Sequence, residues 1–148
     1  PLVIHQPRYS MLDRTVEKGL IDTCGELGLG MAVFSPLAQG LLTSKYLGDD
    51  RFPAGSRVAE QRYLKTDVLT DERVEHLRAL NALAQDRGQT LAQMALAWLL
   101  RDERVTTVLV GASSSHQLRD SVGALDKLAF SADELALIDE HSFAASLV

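Results

Sequence analysis

Cysteine is almost missing from this chain: among 148 residues only Cys24 carries a thiol. No internal disulfide can form, which fits a reducing, cytoplasmic setting. A lone thiol of this kind is expected to pack as a small buried hydrophobe. There is no excess of basic residues either. Fifteen Lys and Arg stand against twenty Asp and Glu, giving a net charge of −5 with both signs interspersed, whereas binding to nucleic acid needs clustered cations. No apolar run reaches the ~20 residues that cross a bilayer, and no basic start leads into a signal-like apolar segment. Neither nucleic acid nor membrane is therefore expected as a partner. Gly-x-Gly-x-x-Gly, a Walker loop and a Cys/His set at metal spacing are all absent, which removes the Rossmann fingerprint, the P-loop and the local metal motifs. The lack of a Gly-x-Ser-x-Gly elbow leaves a serine hydrolase unsupported.

What is present alternates between two periods. Apolar runs at 2–5, 31–34 and 105–110 predict three strands, the last rich in β-branched residues and suited to burial on both faces. Between the first two, residues 15–27 predict a helix with Val16, Leu20, Ile21, Cys24 and Leu27 on one face, stopped by Gly28 and Gly30. Residues 35–70 read as irregular, with Gly40, Gly48, Pro53 and Gly55 as breakers, the kind of long connection that often serves binding. A helix over 70–86 follows, with Val74, Leu77, Leu80 and Leu83 inward. The next begins at the capping box Thr90-Leu91-Ala92-Gln93 and carries Trp98 as a core residue. Two further boxes start at Ser114 and Ser131, the second flanked by Phe130 and Leu135 as a hydrophobic staple.

Strands alternating with helices predict parallel βαβ units and an α/β fold, with residues 1–148 forming a single unit and no second domain. Three parallel strands leave two unpaired sheet edges, which closure into an eight-stranded barrel would remove. A strand at the first residue is then best understood if other strands come before it.

Three chemical features lie just after the three strands, the end at which parallel α/β folds bind ligands. The first is His5-Gln6-Pro7-Arg8-Tyr9, where the Gln6 amide offers a donor and an acceptor to a carboxamide such as that of nicotinamide; an isolated His5 reads as structural. The second is Phe34 to Leu42, followed by Lys45. Its aromatic ring suits a flat ligand, and Ser35, the loop amides and the Lys45 cation suit a pyrophosphate; a plain strand cap and turn fits the spacing equally well. The third is Gly111-Ala112-Ser113-Ser114-Ser115-His116-Gln117, a serine cluster opening a helix, where free N–H groups attract anions and Ser114 also serves as a cap.

The runs FSPLAQGLLTSKY (34–46), TLAQMALAWLL (90–100) and VLVGASSSHQL (108–118) resemble the aldo-keto reductases in the same order. Within that family they resemble especially the bacterial L-glyceraldehyde 3-phosphate reductase group, which is related to the potassium-channel β-subunits. The resemblance covers residues 1 to about 141. It implies a (β/α)8 TIM barrel of which this chain supplies about the last three βα units and the terminal helix. It further implies NADP(H) lying extended across the barrel mouth and reduction of a small aldehyde or ketone.

By matching position, Gln6 would meet the nicotinamide carboxamide and Phe34 its ring. Ser35, Pro36, Leu37, Ala38, Gln39 and Gly40 would line the pyrophosphate path beside Lys45. Arg57 matches a cofactor-holding loop arginine, Gly111, Ser113 and Gln117 match the adenosine and 2′-phosphate end, and Asp120 faces the adenine. Ser114 stands where relatives often carry Arg and Ser121 where the family usually has Asn, so the choice between NADPH and NADH stays open. The family's catalytic Asp, Tyr, Lys and His lie on earlier strands, and Tyr9, Tyr46 and Tyr63 do not occupy that motif. No catalytic residue and no metal are expected here. The chain alone is expected to be inactive, a reductase part needing its N-terminal half; the alternatives are an NADP-binding or self-assembling fragment, or a regulatory β-subunit-like protein.

Overall fold

The computed structural model describes residues 2–48 and 68–144. Strands β1 (Ile4–His5), β2 (Gly30–Val33) and β3 (Thr107–Val108) form a parallel sheet in the order β1-β2-β3. Ile4 and His5 pair with Gly30 and Met31 on one side of β2, and Thr107 and Val108 with Ala32 and Val33 on the other. Parallel neighbours need a crossover. Helix α1 (Leu20–Glu26) supplies the first, α2 (Asp71–Asp86) and α3 (Leu91–Leu100) the second, and α4 (Ser115–Val122) and α5 (Ala132–His141) follow β3. The α/β order read from the sequence is the order found.

The core forms where the helices cover the sheet. Met31 and Val33 of β2 meet Ile21 and Cys24 of α1, Leu77 and Leu80 of α2, and Leu91, Met94 and Leu99 of α3, all buried. Trp98 is fully buried, its ring centroid 5.4 Å from that of Tyr9 and its faces approached by the Arg14 and Arg101 guanidiniums. Caps fix the helix starts: Thr70 accepts from the Arg73 N–H, and complete capping boxes at Thr90/Gln93 and Ser131/Glu134 open α3 and α5. Phe130 and Leu135 pack against the core on either side of the second box, as a staple requires.

Three local expectations change. The helix expected over 15–27 is a 3₁₀ turn, Thr15–Glu17, followed by α1, because Gly19 at φ +104° cannot continue a right-handed helix. Leu27 is consequently the helix C-cap, 67% exposed, instead of an inward residue. The Ser114 box is half formed: Ser114 Oγ accepts from the Gln117 N–H, but the Gln117 side chain turns to Ser113. The third strand pairs only over Thr107–Val108, and it is not buried on both faces. Leu109 and Val110 are exposed, like Leu2 and Val3 beside β1. Among the described residues β1 and β3 each have β2 on one side and no further strand on the other, so apolar residues meant for a core stay uncovered.

One buried cation ties the second half together. Arg87, with its side chain 1% exposed, follows α2; its Nε donates to Gln89 Oε1 (3.0 Å) and its Nη2 to the carbonyls of Lys127 and Ala129 (3.3 and 3.0 Å). Its Nη1 lies 2.6 Å from Glu134 Oε2, and its guanidinium sits 3.7 Å from the Phe130 ring centroid. Partial desolvation raises the Glu134 pKa, yet the Ser131 N–H and Arg87 outweigh it and hold the carboxyl below its ordinary 4.5.

Arg87→Met should therefore lower the stability of the intact protein by about 3 kcal/mol, since it strands a carboxylate and several carbonyls, as read by equilibrium urea unfolding. Because Glu134 is depressed in the folded state, its contribution is complete above pH 4.5 and lost as pH falls through the folded value. The stability gap between wild type and Glu134→Gln should accordingly shrink below that pH; a gap that stays constant would contradict the pairing.

Candidate functional site

The sheet order places the ends of β1, β2 and β3 side by side, and with them the three segments singled out in the sequence. At the end of β1, Gln6 is exposed and Pro7 is buried. The Pro7 carbonyl accepts the Phe34 N–H (3.0 Å) and the Phe34 carbonyl accepts the Tyr9 N–H (3.3 Å), extending the β1–β2 ladder by a parallel bridge between Arg8 and Phe34. Phe34, 37% exposed, is thereby fixed at the sheet end, and the Arg8 guanidinium lies 5.9 Å from its ring centroid.

The second segment turns sharply. Ser35, Ala38, Gln39 and Gly40 have φ of +58°, +47°, +60° and +98°, left-handed values that cost a non-glycine residue roughly 1–2 kcal/mol each. Such strain persists only where the surroundings impose it, and it gathers at functional sites. Here the surroundings are visible. Pro36 and Ala38 are buried, and the N–H groups of Ala38, Gly40, Leu41 and Leu42 donate to loop carbonyls at 2.8–3.2 Å. Thr43 Oγ1 donates to the Gly40 carbonyl (2.7 Å). Those four amides are thus committed within the loop; the polar groups at the surface are the side chains of Ser35 and Gln39, joined at 3.3 Å, and the exposed Lys45. Leu37 is half-buried beneath them.

In the third segment Gly111 is exposed with open space around it. Ser113 donates through its N–H and hydroxyl to Gln117 Oε1 (2.8 and 2.9 Å), closing the turn into α4. Arg119, in the last turn, reaches back so that its Nη2 lies 3.2 Å from Ser115 Oγ. Asp120 is tethered: Gln93 Nε2 donates to its carbonyl (2.9 Å) and to Oδ1 (3.0 Å), leaving Oδ2 outside that bond. Gln93 is the capping residue of α3, so one amide couples the start of α3 to α4. A Cβ at Gly123 would lie 2.7 Å from Gln93 Nε2, so a larger residue there would push the Gln93 amide aside. Ser121 turns its hydroxyl to the Gln117 carbonyl (3.0 Å).

Gln6, Phe34, residues 35–40, Gly111 and Ser113 thus lie just beyond the ends of neighbouring strands, Lys45 lies in the turn after the second segment, Gln117 and Asp120 lie within α4, and Arg57 lies outside the described residues. The sequence did not single out Arg119, and it marked Gln93 for its cap and not for its hold on Asp120. The four-residue step from Ser115 to Arg119 was a usable signal, because it places both on one helix face. Gln93 was visible only as a cap. A concavity lined by Arg101 to Arg104 and Leu128 to Phe130 lies elsewhere, ahead of β3, and none of these groups lines it.

Residues 1–142 match the model of the Aldo/keto reductase family. The chain belongs to this family. It is 53% identical over 146 residues to L-glyceraldehyde 3-phosphate reductase of Escherichia coli O157:H7, covering 95% of this chain and 42% of that protein. It is 35% identical over 127 residues to a probable voltage-gated potassium channel subunit beta of Oryza sativa subsp. japonica, covering 84% of this chain and 38% of the other. The thermostable aldo-keto reductase Tm1743, solved with the inhibitor epalrestat, superposes with a TM-score of 0.67 at 25% identity, covering 96% of this chain and 40% of that one. The chain therefore spans about two fifths of the length of these relatives, and its three βα units form part of an aldo-keto reductase TIM barrel.

The strained loop gives a direct test. Gln39→Val should destabilise the intact protein by about 1–2 kcal/mol, because a β-branched residue resists the left-handed region, whereas Gln39→Gly should be neutral or stabilising. Equal urea midpoints for the two variants would argue against the loop geometry.

Proposed function

We propose that this chain is the cofactor-holding C-terminal part of an NADP(H)-dependent aldo-keto reductase that reduces small aldehydes or ketones in the cytoplasm. The observation that carries the reading is the side-by-side placement of Gln6, Phe34 and the serine-rich start of α4 on one end of a parallel sheet. The residues present fit the dinucleotide. The exposed Gln6 amide would pair with the nicotinamide carboxamide and the Phe34 ring would support the nicotinamide, while Ser35, Gln39 and Lys45 would meet the pyrophosphate. At the far end Ser113, the first-turn amides of α4 and the Arg119 guanidinium would take the 2′-phosphate, and Asp120 Oδ2 would face the adenine. Arg119 supplies the cation that Ser114 lacks, which favours NADPH over NADH.

When bound, NADPH would supply the hydride, and these residues would orient it. The proton must come from elsewhere in the enzyme. Tyr9 donates to Glu17 Oε1 (2.7 Å), and burial together with that carboxylate pushes its pKa well above the ordinary tyrosine value, the reverse of what a proton donor near neutral pH needs. Tyr46 is buried behind the loop. Tyr63 lies outside the described residues, and the family resemblance assigns the catalytic acid to strands that precede those present here, so the isolated 148-residue chain is expected to show no turnover. The 53%-identical relative named for L-glyceraldehyde 3-phosphate makes a phosphorylated triose the first substrate to try.

In the full-length enzyme, Phe34→Ala should weaken NADPH binding about tenfold, the scale of one aromatic contact with its buried area. Arg119→Ala should weaken NADPH by a similar factor and leave NADH unchanged. Both are read by quenching of protein fluorescence, and unchanged NADPH affinity in both variants would sink the reading. The isolated chain should also self-associate, because Leu2 and Val3 (68% and 71% exposed) and Leu109 (42%) lie along the uncovered outer strands. A monomer by sedimentation at micromolar concentration would contradict this.

A further inference from the structure

Far along the chain from the strand-end segments, two histidines that play no part in the proposed reductase face each other across α2 and α5. His76 Nδ1 and His141 Nδ1 are 3.2 Å apart, with ring centroids 5.4 Å apart and ring planes inclined at 57°. Both residues are half-buried, and the His76 ring centroid lies 6.1 Å from that of Phe143. Two neutral imidazoles satisfy each other at this distance only as unlike tautomers, one carrying Nδ1–H and the other an Nδ1 lone pair. If both carry the proton on Nε2, two lone pairs point at the same space, and a cation resolves the clash.

The separation also suits a metal. Two imidazole nitrogens each 2.0–2.1 Å from a tetrahedral Zn²⁺ stand roughly 3.3–3.4 Å apart, within a few tenths of an ångström of the spacing here. Imidazole is a ligand of choice for Zn²⁺, Cu²⁺ and Ni²⁺. Arg73 on α2 is engaged with other groups: its guanidinium lies 5.4 Å from the Phe143 centroid and donates to the Val68 carbonyl (3.4 Å). No cluster of three or more His, Cys, Asp or Glu occurs among the described residues, so a metal held by this pair would take water in its remaining coordination positions.

We propose that His76 and His141 form a two-histidine site for a divalent transition metal, Zn²⁺ in the first instance, that clasps the terminal helix α5 to α2. The ion binds through both Nδ1 atoms with Nε2 protonated, and water completes the tetrahedron. Because two neutral ligands and water make a modest site, binding is reversible and lost to a chelator. The site lies in the terminal helix pair and does not depend on cofactor binding.

The intact protein, stripped with EDTA and dialysed, is titrated with Zn²⁺ against a chromophoric chelator, and in parallel with Co²⁺ while visible absorption is recorded. One equivalent should bind, Co²⁺ should give the strong bands of tetrahedral coordination, and Zn²⁺ should raise the melting temperature. His76→Ala and His141→Ala should each weaken Zn²⁺ about a hundredfold or more, the loss of a direct ligand exceeding that of an outer partner. His5→Ala and His116→Ala should leave it unchanged. Should either alanine variant fail to fold, His141→Asn keeps a hydrogen-bonding side chain and must still abolish the Co²⁺ bands. Absence of stoichiometric binding, binding that survives the loss of both His76 and His141, or binding that follows His5 or His116 would overturn the site and leave only an imidazole–imidazole hydrogen bond. NADPH affinity is measured on the same samples and should not move, so the fate of this site and that of the reductase reading are separable.

Discussion

Everything in this fold hangs on the two-sided pairing of β2. Its four residues, Gly30–Val33, hold β1 on one edge and β3 on the other, and the same residues carry the buried Met31 and Val33 side chains into the helix layer. Slipping either ladder by one residue would exchange core-facing and opposite-facing side chains. The backbone bonds that run past the strand, from Phe34 to Pro7 and from Leu109 to Val33, carry this register into the segments where the candidate site lies. The position of Phe34 relative to Gln6 is thus a consequence of sheet pairing, with the loop serving only to continue it.

Around that centre, helix ends do most of the fixing. Thr70, Thr90 and Ser131 cap α2, α3 and α5, and Arg87 gathers the carbonyls of residues 127 and 129 with Glu134 into one buried knot. Gln93 goes further. It closes its own capping box and, through the same amide, holds Asp120 on α4. A structural device at the start of one helix therefore decides where a candidate binding group stands on another.

Much of this was readable in the residues. Periodicity located all three strands and the helix order, and the capping boxes at Thr90 and Ser131 formed as their spacing required. What failed did so for identifiable reasons. Gly19 looked like an ordinary residue within an apolar period, and only its positive φ shows the break. The apolar run at 105–110 signalled burial on both faces, yet burial depends on neighbouring strands, which the run itself does not contain. Gln117 satisfied the box pattern but found better partners in Ser113. Gln93 was legible only as a cap, because its bond to Asp120 is a contact between helices, and the four-residue step from Ser115 to Arg119 was not singled out. The family itself was legible from three ordered motifs, two that couple a strand end to the turn that follows it and one that is the capped helix α3.

The burial of Trp98 has a use beyond packing. It is the only tryptophan in the chain, fully enclosed, with the Arg101 guanidinium 3.8 Å and the Arg14 guanidinium 5.2 Å from its ring centroid. Arg14 precedes α1, Arg101 follows α3, and Tyr9 beside the ring follows β1. One chromophore therefore stands where the first βα unit meets the second. Its emission provides an optical gauge of whether those two units are docked, present in the natural sequence and requiring no label.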